Sequence, residues 1–280
     1  MFEIKSRRDL NEAVFAMQIE APDIAKRAKA GQFVILRADE EGERIPLTVA
    51  DTDRVAGTVT IIFQVVGGTT KRLSMLHPGD SIPDFVGPLG HPTDFADARR
   101  VCVVGGGVGC AIAFPQAKAL HAMGVHVDVI AGFRSKDIVI LEEEFRANSA
   151  ALYITTDDGS YGDKGFVTTK LEELIAAGGG YDLVIAIGPV VMMKFVSEVT
   201  RKQGIRTLVS LNPIMVDGTG MCGCCRVTVG GELRFACVDG PDFDGHLVDY
   251  DELMNRNRFY IEQEKEDYDH VCKIGLRGNH

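Results

Sequence analysis

Four of the seven cysteines in this 280-residue chain fall between positions 222 and 237. They are Cys222, Cys224, Cys225 and Cys237, and Asp217 stands just upstream in the run Asp217-Gly-Thr-Gly-Met-Cys222-Gly-Cys-Cys225. With Cys102, Cys110 and Cys272 the total is odd, and so tight a cluster argues against a disulfide framework and for a metal or redox centre. The spacing Asp217-x4-Cys222-x2-Cys225-x11-Cys237 offers four anionic donors. A glycine-rich loop can wrap closely and turn N–H groups toward sulfur, which is what a binuclear iron–sulfur cluster requires. The x4, x2 spacing is that of plant-type ferredoxins, with a carboxylate in place of the first cysteine. Two other outcomes stay open on spacing alone. Cys222, Cys225 and Cys237 with His246 would suit a Cys3His zinc site, and a buried, unligated cysteine cluster is the third possibility. Cys224 is the spare, since it points away when its neighbours converge on one metal.

A second group of residues suits phosphate. Gly105, Gly106, Gly107, Val108 and Gly109 join an apolar run to a helix-length segment. Glycines let the backbone approach a pyrophosphate, and a helix N-terminus favours its charge. The run departs from G-x-G-x-x-G because Cys110 takes the third position. Asp128 lies near the distance expected for a ribose-binding acid but mid-strand, so it is expected to face away from a crevice. Arg134, with Ser135 and Lys136, could receive a 2′-phosphate, which leans toward NADP(H). In the N-terminal half, Arg44, Pro46, Leu47 and Thr48 place a cation and a hydroxyl on a stiff segment. Val65, Gly67, Gly68, Thr69 and Thr70 supply a second glycine–hydroxyl loop, which suits a phosphate or any turn. Gly87-Pro88-Leu89-Gly90 reads as a linker turn or a wall of the same site.

Three kinds of element must carry these residues. Short runs rich in Val, Ile and Phe at 12–19, 33–37 and 58–66 predict strands separated by turn chemistry, hence a small barrel or sandwich over 1–98. From about 99 to 211, apolar strands at 101–104, 126–131, 152–156, 183–187 and 207–211 alternate with helices at 111–123, 139–147, 165–177 and 191–203. That alternation predicts a doubly wound α/β domain with a parallel sheet covered on both faces. Residues 212–248 form a Gly- and Cys-rich module with a hairpin turning at Gly230-Gly231, and 249–280 is a charged, partly helical tail. Forty Asp plus Glu against 30 Lys plus Arg give a net charge of −10, which does not suit a binder of nucleic acid backbones. No apolar h-region opens the chain and no run is long enough to span a bilayer. A cytoplasmic, membrane-free protein is expected.

In this order the modules resemble the ferredoxin-reductase superfamily, and more narrowly the electron-transfer subunit of class B dihydroorotate dehydrogenase and its relatives. Arg44 to Thr48 match that family's Arg-x-Pro-Leu/Ile-Ser/Thr flavin motif, Gly67 to Thr70 its second flavin loop, and residues 105–109 its pyridine-nucleotide loop. Asp217, Cys222, Cys225 and Cys237 match its binuclear cluster site. The dihydroorotate dehydrogenase subunit has cysteine where this chain has Asp217. A carboxylate there resembles the small subunit of NADH-dependent reduced ferredoxin:NADP oxidoreductase, an electron-bifurcating transhydrogenase also called sulfide dehydrogenase. The resemblance implies a β-barrel domain for FAD, a nucleotide domain for NAD(H) rather than NADP(H), and a small 2Fe-2S module. It also implies a larger partner subunit with a second FAD and 4Fe-4S clusters, serving ferredoxin indirectly. NAD(H) is expected across the carboxyl ends of the parallel strands, touching residues 105–109, Asp157, Asp158, Gly159, Gly188 and Pro189. Hydride exchange with the flavin needs no obligatory protein acid or base.

Overall fold

Alternating apolar positions build the first sheet. The computed structural model describes residues 1–40 and 42–275. Strands β1 (Phe2–Asp9), β2 (Val14–Glu20), β3 (Phe33–Arg37), β4 (Arg44–Asp53), β5 (Thr58–Gln64), β6 (Ser81–Ile82) and β7 (Asp84–Leu89) join in one sheet, ordered β6-β1-β2-β5-β4-β3-β7. The outermost strands, β6 and β7, are consecutive in the chain and separated by Pro83 alone. The two ends of the sheet therefore meet, and it closes into a nearly complete antiparallel barrel. Met17, Ile19, Leu36, Ile61, Phe63 and Leu73 fill its interior. Helix α1 (Pro22–Arg27) covers one end, and the short α2 (Gly68–Leu73) follows β5.

The second sheet begins with a run buried on both faces, Val101 to Val104. It comprises β8 (Arg100–Gly106), β9 (His126–Phe133), β10 (Ala151–Thr156), β11 (Asp163–Lys164), β12 (Leu183–Ile187) and β13 (Arg206–Ser210), all parallel, with helices α3 (Gly109–Ala122), α4 (Glu142–Ala147), α5 (Val167–Ala176) and α6 (Val190–Lys202) in the crossovers. The order β11-β10-β9-β8-β12-β13 reverses direction between β8 and β12. Ligands bind outside the strand ends at such a reversal. The helix expected over 139–147 is shorter than that. A 3-10 turn at Lys136–Ile138 precedes it, and Leu141, with φ +59°, breaks the backbone just before α4. Apolar Ile140 and Leu141 are buried in the core instead.

After β13 the chain forms a hairpin, β14 (Arg226–Val229) and β15 (Glu232–Phe235), and then β16 (Asp242–Asp244). β16 pairs antiparallel with β13, so the cysteine-rich segment is stitched onto the edge of the nucleotide sheet. Helix α7 (Tyr250–Arg256) docks on α6 through a Tyr250–Ser197 hydroxyl pair at 2.7 Å. Helix α8 (Ile261–Gly275) returns to lie against α2. Residues 276–280 of the charged tail lie outside the described residues. Two ion pairs tie barrel to nucleotide domain, Arg8–Glu144 at 2.7 Å and Lys118–Asp51 at 2.7 Å. Among the described residues no helix is long and apolar enough to cross a membrane.

Candidate cofactor and cluster sites

At the reversal between β8 and β12 the structure opens a crevice of about 940 Å³. Its floor is the glycine loop, and each glycine there has its own reason. Gly107 has φ +56°, and nothing would meet a Cβ built on it, so the backbone is open to an approaching group. A Cβ at Gly109 would sit 2.5 Å from Ile187 O, so the first turn of α3 can lie against β12 only as glycine. At Gly106 it would meet Met192 Sδ and Pro189 Cδ. Gly106, Gly107, Val108, Gly109, Arg134, Asp157, Gly188 and Pro189 all line the crevice. Gly105 sits behind the loop, against Cys110. Asp158 turns into its own loop, accepting from the N–H and hydroxyl of Ser160 at 2.9 and 2.7 Å, which holds its carboxyl below the usual range. Neither Gly105, Asp158 nor Gly159 lines the crevice. Asp128 faces away from it: the carboxylate is buried and accepts from Tyr181 Oη at 2.8 Å.

The barrel contributes to the same crevice through Asn11, Ala13, Val14 and Gln64. Sequence reasoning missed these because nothing local marks them. Val14 pairs with Gln64 across β2 and β5, so only the register brings the β1–β2 turn to the strand end that leads into α2.

On the barrel, Arg44 opens β4 with its Nη2 3.7 Å from Asp84 Oδ2. Pro46 and Leu47 follow, and Thr48 stands opposite Phe33 of β3. Beyond β5 come Val65 and the loop leading into α2. The Thr70 hydroxyl accepts from the N–H groups of Val66 and Gly67 at 3.0 Å each and donates to Gly67 O. It therefore shapes the loop rather than facing outward, and Thr69 is buried. Gly67 has open space where a Cβ would stand, so the loop presents bare backbone. Gly68 begins α2 behind it.

The cysteine segment brings one pair together. Cys225 and Cys237 are buried, with sulfurs 3.2 Å apart. Burial, with the Cys225 contact second, pushes the Cys237 thiol up to about 12. Cys222 is exposed, and the Cys224 thiol is raised chiefly by a hydrogen bond with the Cys222 thiol. Asp217 accepts from the N–H groups of Thr219 at 2.9 Å and Cys222 at 3.0 Å, bonds that hold its carboxyl low. Gly218, Gly220 and Gly223 all have positive φ, between +68° and +85°. His246 does not join the cysteines: its Nε2 lies 3.0 Å from Thr200 Oγ1 on the nucleotide domain. The Cys3His arrangement that spacing allowed is therefore not assembled. Among the described residues no three His, Cys, Asp or Glu side chains close on a single point as a mononuclear metal demands. A binuclear cluster spreads its ligands over two irons, and a buried thiol pair beside a glycine-rich loop with a thiol and a carboxylate suits that chemistry.

Comparison with known proteins agrees with this geometry. A family model described as the iron–sulfur cluster binding domain of dihydroorotate dehydrogenase B matches residues 212–249. A Thermotoga maritima protein, dihydroorotate dehydrogenase B (NAD(+)) electron transfer subunit homolog, is 48% identical over 271 residues, covering 97% of this chain and 95% of the relative. The electron transfer subunit of dihydroorotate dehydrogenase B from Streptococcus mutans is 34% identical over 256 residues, covering 88% and 96%. A chain from the solved structure of NADH-dependent reduced ferredoxin-NADP oxidoreductase, a study of flavin-based electron bifurcation, superposes with a TM-score of 0.91. Its identity is 46%, over 97% of this chain and 98% of that one. A barrel closed by its own edge strands, a crevice at the sheet reversal and a cysteine module on the sheet edge are the parts this comparison joins, and the chain belongs to the family of electron-transfer subunits represented by dihydroorotate dehydrogenase B.

Proposed function

We propose that the chain is the electron-transfer subunit of an NADH-dependent reduced ferredoxin-NADP oxidoreductase, working in the cytoplasm with a larger subunit that carries a second FAD and 4Fe-4S clusters. It would take NAD(H), FAD and one 2Fe-2S cluster. When bound, these groups supply hydride and single-electron chemistry, and the protein supplies position.

The chain's own residues do the positioning. Residues 106–109, leading into the N-terminus of α3, receive the dinucleotide pyrophosphate through backbone N–H groups and the helix field, with Gly105 packed behind them. Gly188 and Pro189, at the end of β12, wall the crevice opposite. Arg44 answers the flavin diphosphate from β4, and Thr48, further along the same strand, offers a hydroxyl to the flavin ring. The loop at 67–70 gives bare backbone to phosphate. Asp217, Cys222, Cys225 and Cys237 hold the cluster, and Asp217 also organises the loop by accepting from Cys222 N–H. Exposed Arg134 at the crevice rim is the feature that leaves NADP(H) possible.

One observation carries this reading. The sheet whose β8–β12 reversal opens the crevice also holds the cysteine module on its β13 edge. Anaerobic purification of the intact chain tests it, with flavin and iron content, electron paramagnetic resonance after reduction, and titration with NADH beside NADPH. A colourless, zinc-containing protein would end it. A rival reading is a subunit serving dihydroorotate or sulfide chemistry, and its dihydroorotate version is favoured by the names of relatives such as the S. mutans protein. Asp217 counts against the dihydroorotate version, and identification of the co-purifying large subunit separates the two.

A further inference from the structure

Asp242 sits where four parts of the molecule meet, and nothing above uses it. It opens β16, directly across from Ser210 of β13. Its Oδ2 accepts from Thr93 Oγ1 at 2.5 Å and from Gln116 Nε2 at 3.5 Å. Thr93 lies on the segment joining barrel to nucleotide sheet, and its N–H donates to Ala30 O in the barrel at 3.0 Å. Gln116 is fully buried on α3, the helix that begins at the glycine loop. Gly31 presses in from the barrel, and a Cβ there would lie 3.1 Å from Asp242 Oδ2. Ser210 also lines the crevice, so the carboxyl stands one side chain behind its wall.

Two atoms in this cluster are left over. Asp242 Oδ1 and Gln116 Oε1 are both buried and have no hydrogen-bond partner among the described residues. Both are acceptors while the carboxyl is ionised, and a proton on the carboxyl turns one of them into a donor. Among the described residues no cation stands in for that proton. On the elements packed around Asp242, Lys29, His91, Asp97, His121 and Asp244 are exposed. Arg206 lies 3.7 Å from Asp94, and Lys118 is bound to Asp51. Burial lifts the Asp242 carboxyl above the ordinary range, against the pull of Thr93, Ser210 and Gln116.

We propose that Asp242 is a redox-linked proton-binding site: its carboxylate takes up a proton when the iron–sulfur module gains an electron, and releases it when the electron passes on. The linkage rests on the reading of that module given above. Asp242 follows Cys237 by five positions in the same module, and negative charge added to that module favours the neutral carboxyl. The balance is supplied by the reaction itself, since oxidation of NADH to NAD+ yields two electrons and one proton. Each electron entering the module draws up to one proton onto Asp242, from the crevice or from water.

The experiment is a redox titration of the cluster's paramagnetic signal across pH in the intact, cofactor-loaded protein. The wild-type midpoint potential falls with rising pH over a limited range, approaching about 59 mV per unit, the one-electron equivalent of a tenfold change. Asp242→Asn, neutral at every pH, flattens that slope. Thr93→Val removes a donor to the charged form and moves the sloping range to higher pH. Redox-difference infrared spectra of the wild type gain a protonated-carboxyl band on reduction, and Asp242→Asn lacks it. A normal iron signal with a pH-independent wild-type potential, or a slope that survives in Asp242→Asn, overturns the proton site alone. Absence of any iron signal overturns the module reading and the linkage together. Should Asp242→Asn fail to fold, the wild-type slope and the Thr93→Val shift decide the matter.

Discussion

The sulfurs of Cys225 and Cys237 lie 3.2 Å apart across the base of the β14–β15 hairpin, whose strands fill the sequence between them. Ala236 N–H donates to Cys225 O at 3.0 Å, so the backbone ladder continues down to the thiols. In the proposed ligand set, the hairpin would fix one half before any iron arrives, while Cys222 and Asp217 sit on a glycine-hinged loop.

Substitution should therefore divide the four clustered cysteines. Cys225→Ser, Cys237→Ser and Cys222→Ser are expected to abolish the iron signal, whereas Cys224→Ser retains it. Asp217→Cys is expected to keep iron but change potential and spectrum. Iron analysis and paramagnetic resonance on the five variants read this directly, and loss of iron in Cys224→Ser would reassign the fourth ligand.

Gly109→Ala should weaken dinucleotide binding without removing flavin or iron. Its Cβ would meet Ile187 O at 2.5 Å and Gly188 Cα at 2.7 Å, all backbone. Forcing that contact costs about 1–3 kcal/mol, or about five- to 150-fold in affinity if it falls on binding. Titration of NADH against the flavin-loaded variant measures it, and unchanged affinity would remove the loop from the site.

Tyr181→Phe should destabilise the nucleotide domain by about 1–3 kcal/mol, because a buried carboxylate loses a donor. Burial above all, then Cys102 and Asp128, raises the Tyr181 phenol above its ordinary value. The folded protein thus keeps this proton after the unfolded chain has lost it. The contribution is whole below about pH 10 and is lost as pH rises through the folded-state value. Urea unfolding at neutral and alkaline pH should show a steeper alkaline decline in wild type than in Tyr181→Phe.

Asp51→Asn should do little. The Asp51–Lys118 pair joins the two large domains, but its side chains are 41% and 44% exposed, so it is worth about 0–1 kcal/mol. Thermal unfolding in low and high salt should place variant and wild type within a few degrees. A large loss would mean that the domain seam depends on this one contact.

The fold class was legible because its signals are local. Fully buried strands read as apolar runs, and β8, β9, β10, β12 and β13 all announce themselves this way. β1 and β4 do not: β1 carries Lys5, Arg7 and Arg8, and β4 contains Pro46. β6 and β7, which close the barrel, are too short or too Gly- and Pro-rich to register as strands. Sites followed the same rule. The cysteine spacing and glycine loop survive as sequence patterns, since each is held by one segment. Asn11, Gln64 and Asp242 gain meaning only from pairing partners far along the chain, such as Val14 with Gln64 and Ser210 with Asp242.

The pairing of β16 with β13 bears on how the chain can be divided. A fragment ending after Leu211 would keep the glycine loop and crevice but strip β13 of its outer neighbour. Bare N–H and C=O groups along that strand would then invite pairing with another copy. Grafting the metal-binding segment onto a different reductase, or deleting it from this one, thus risks self-association unless a replacement shields the exposed rim.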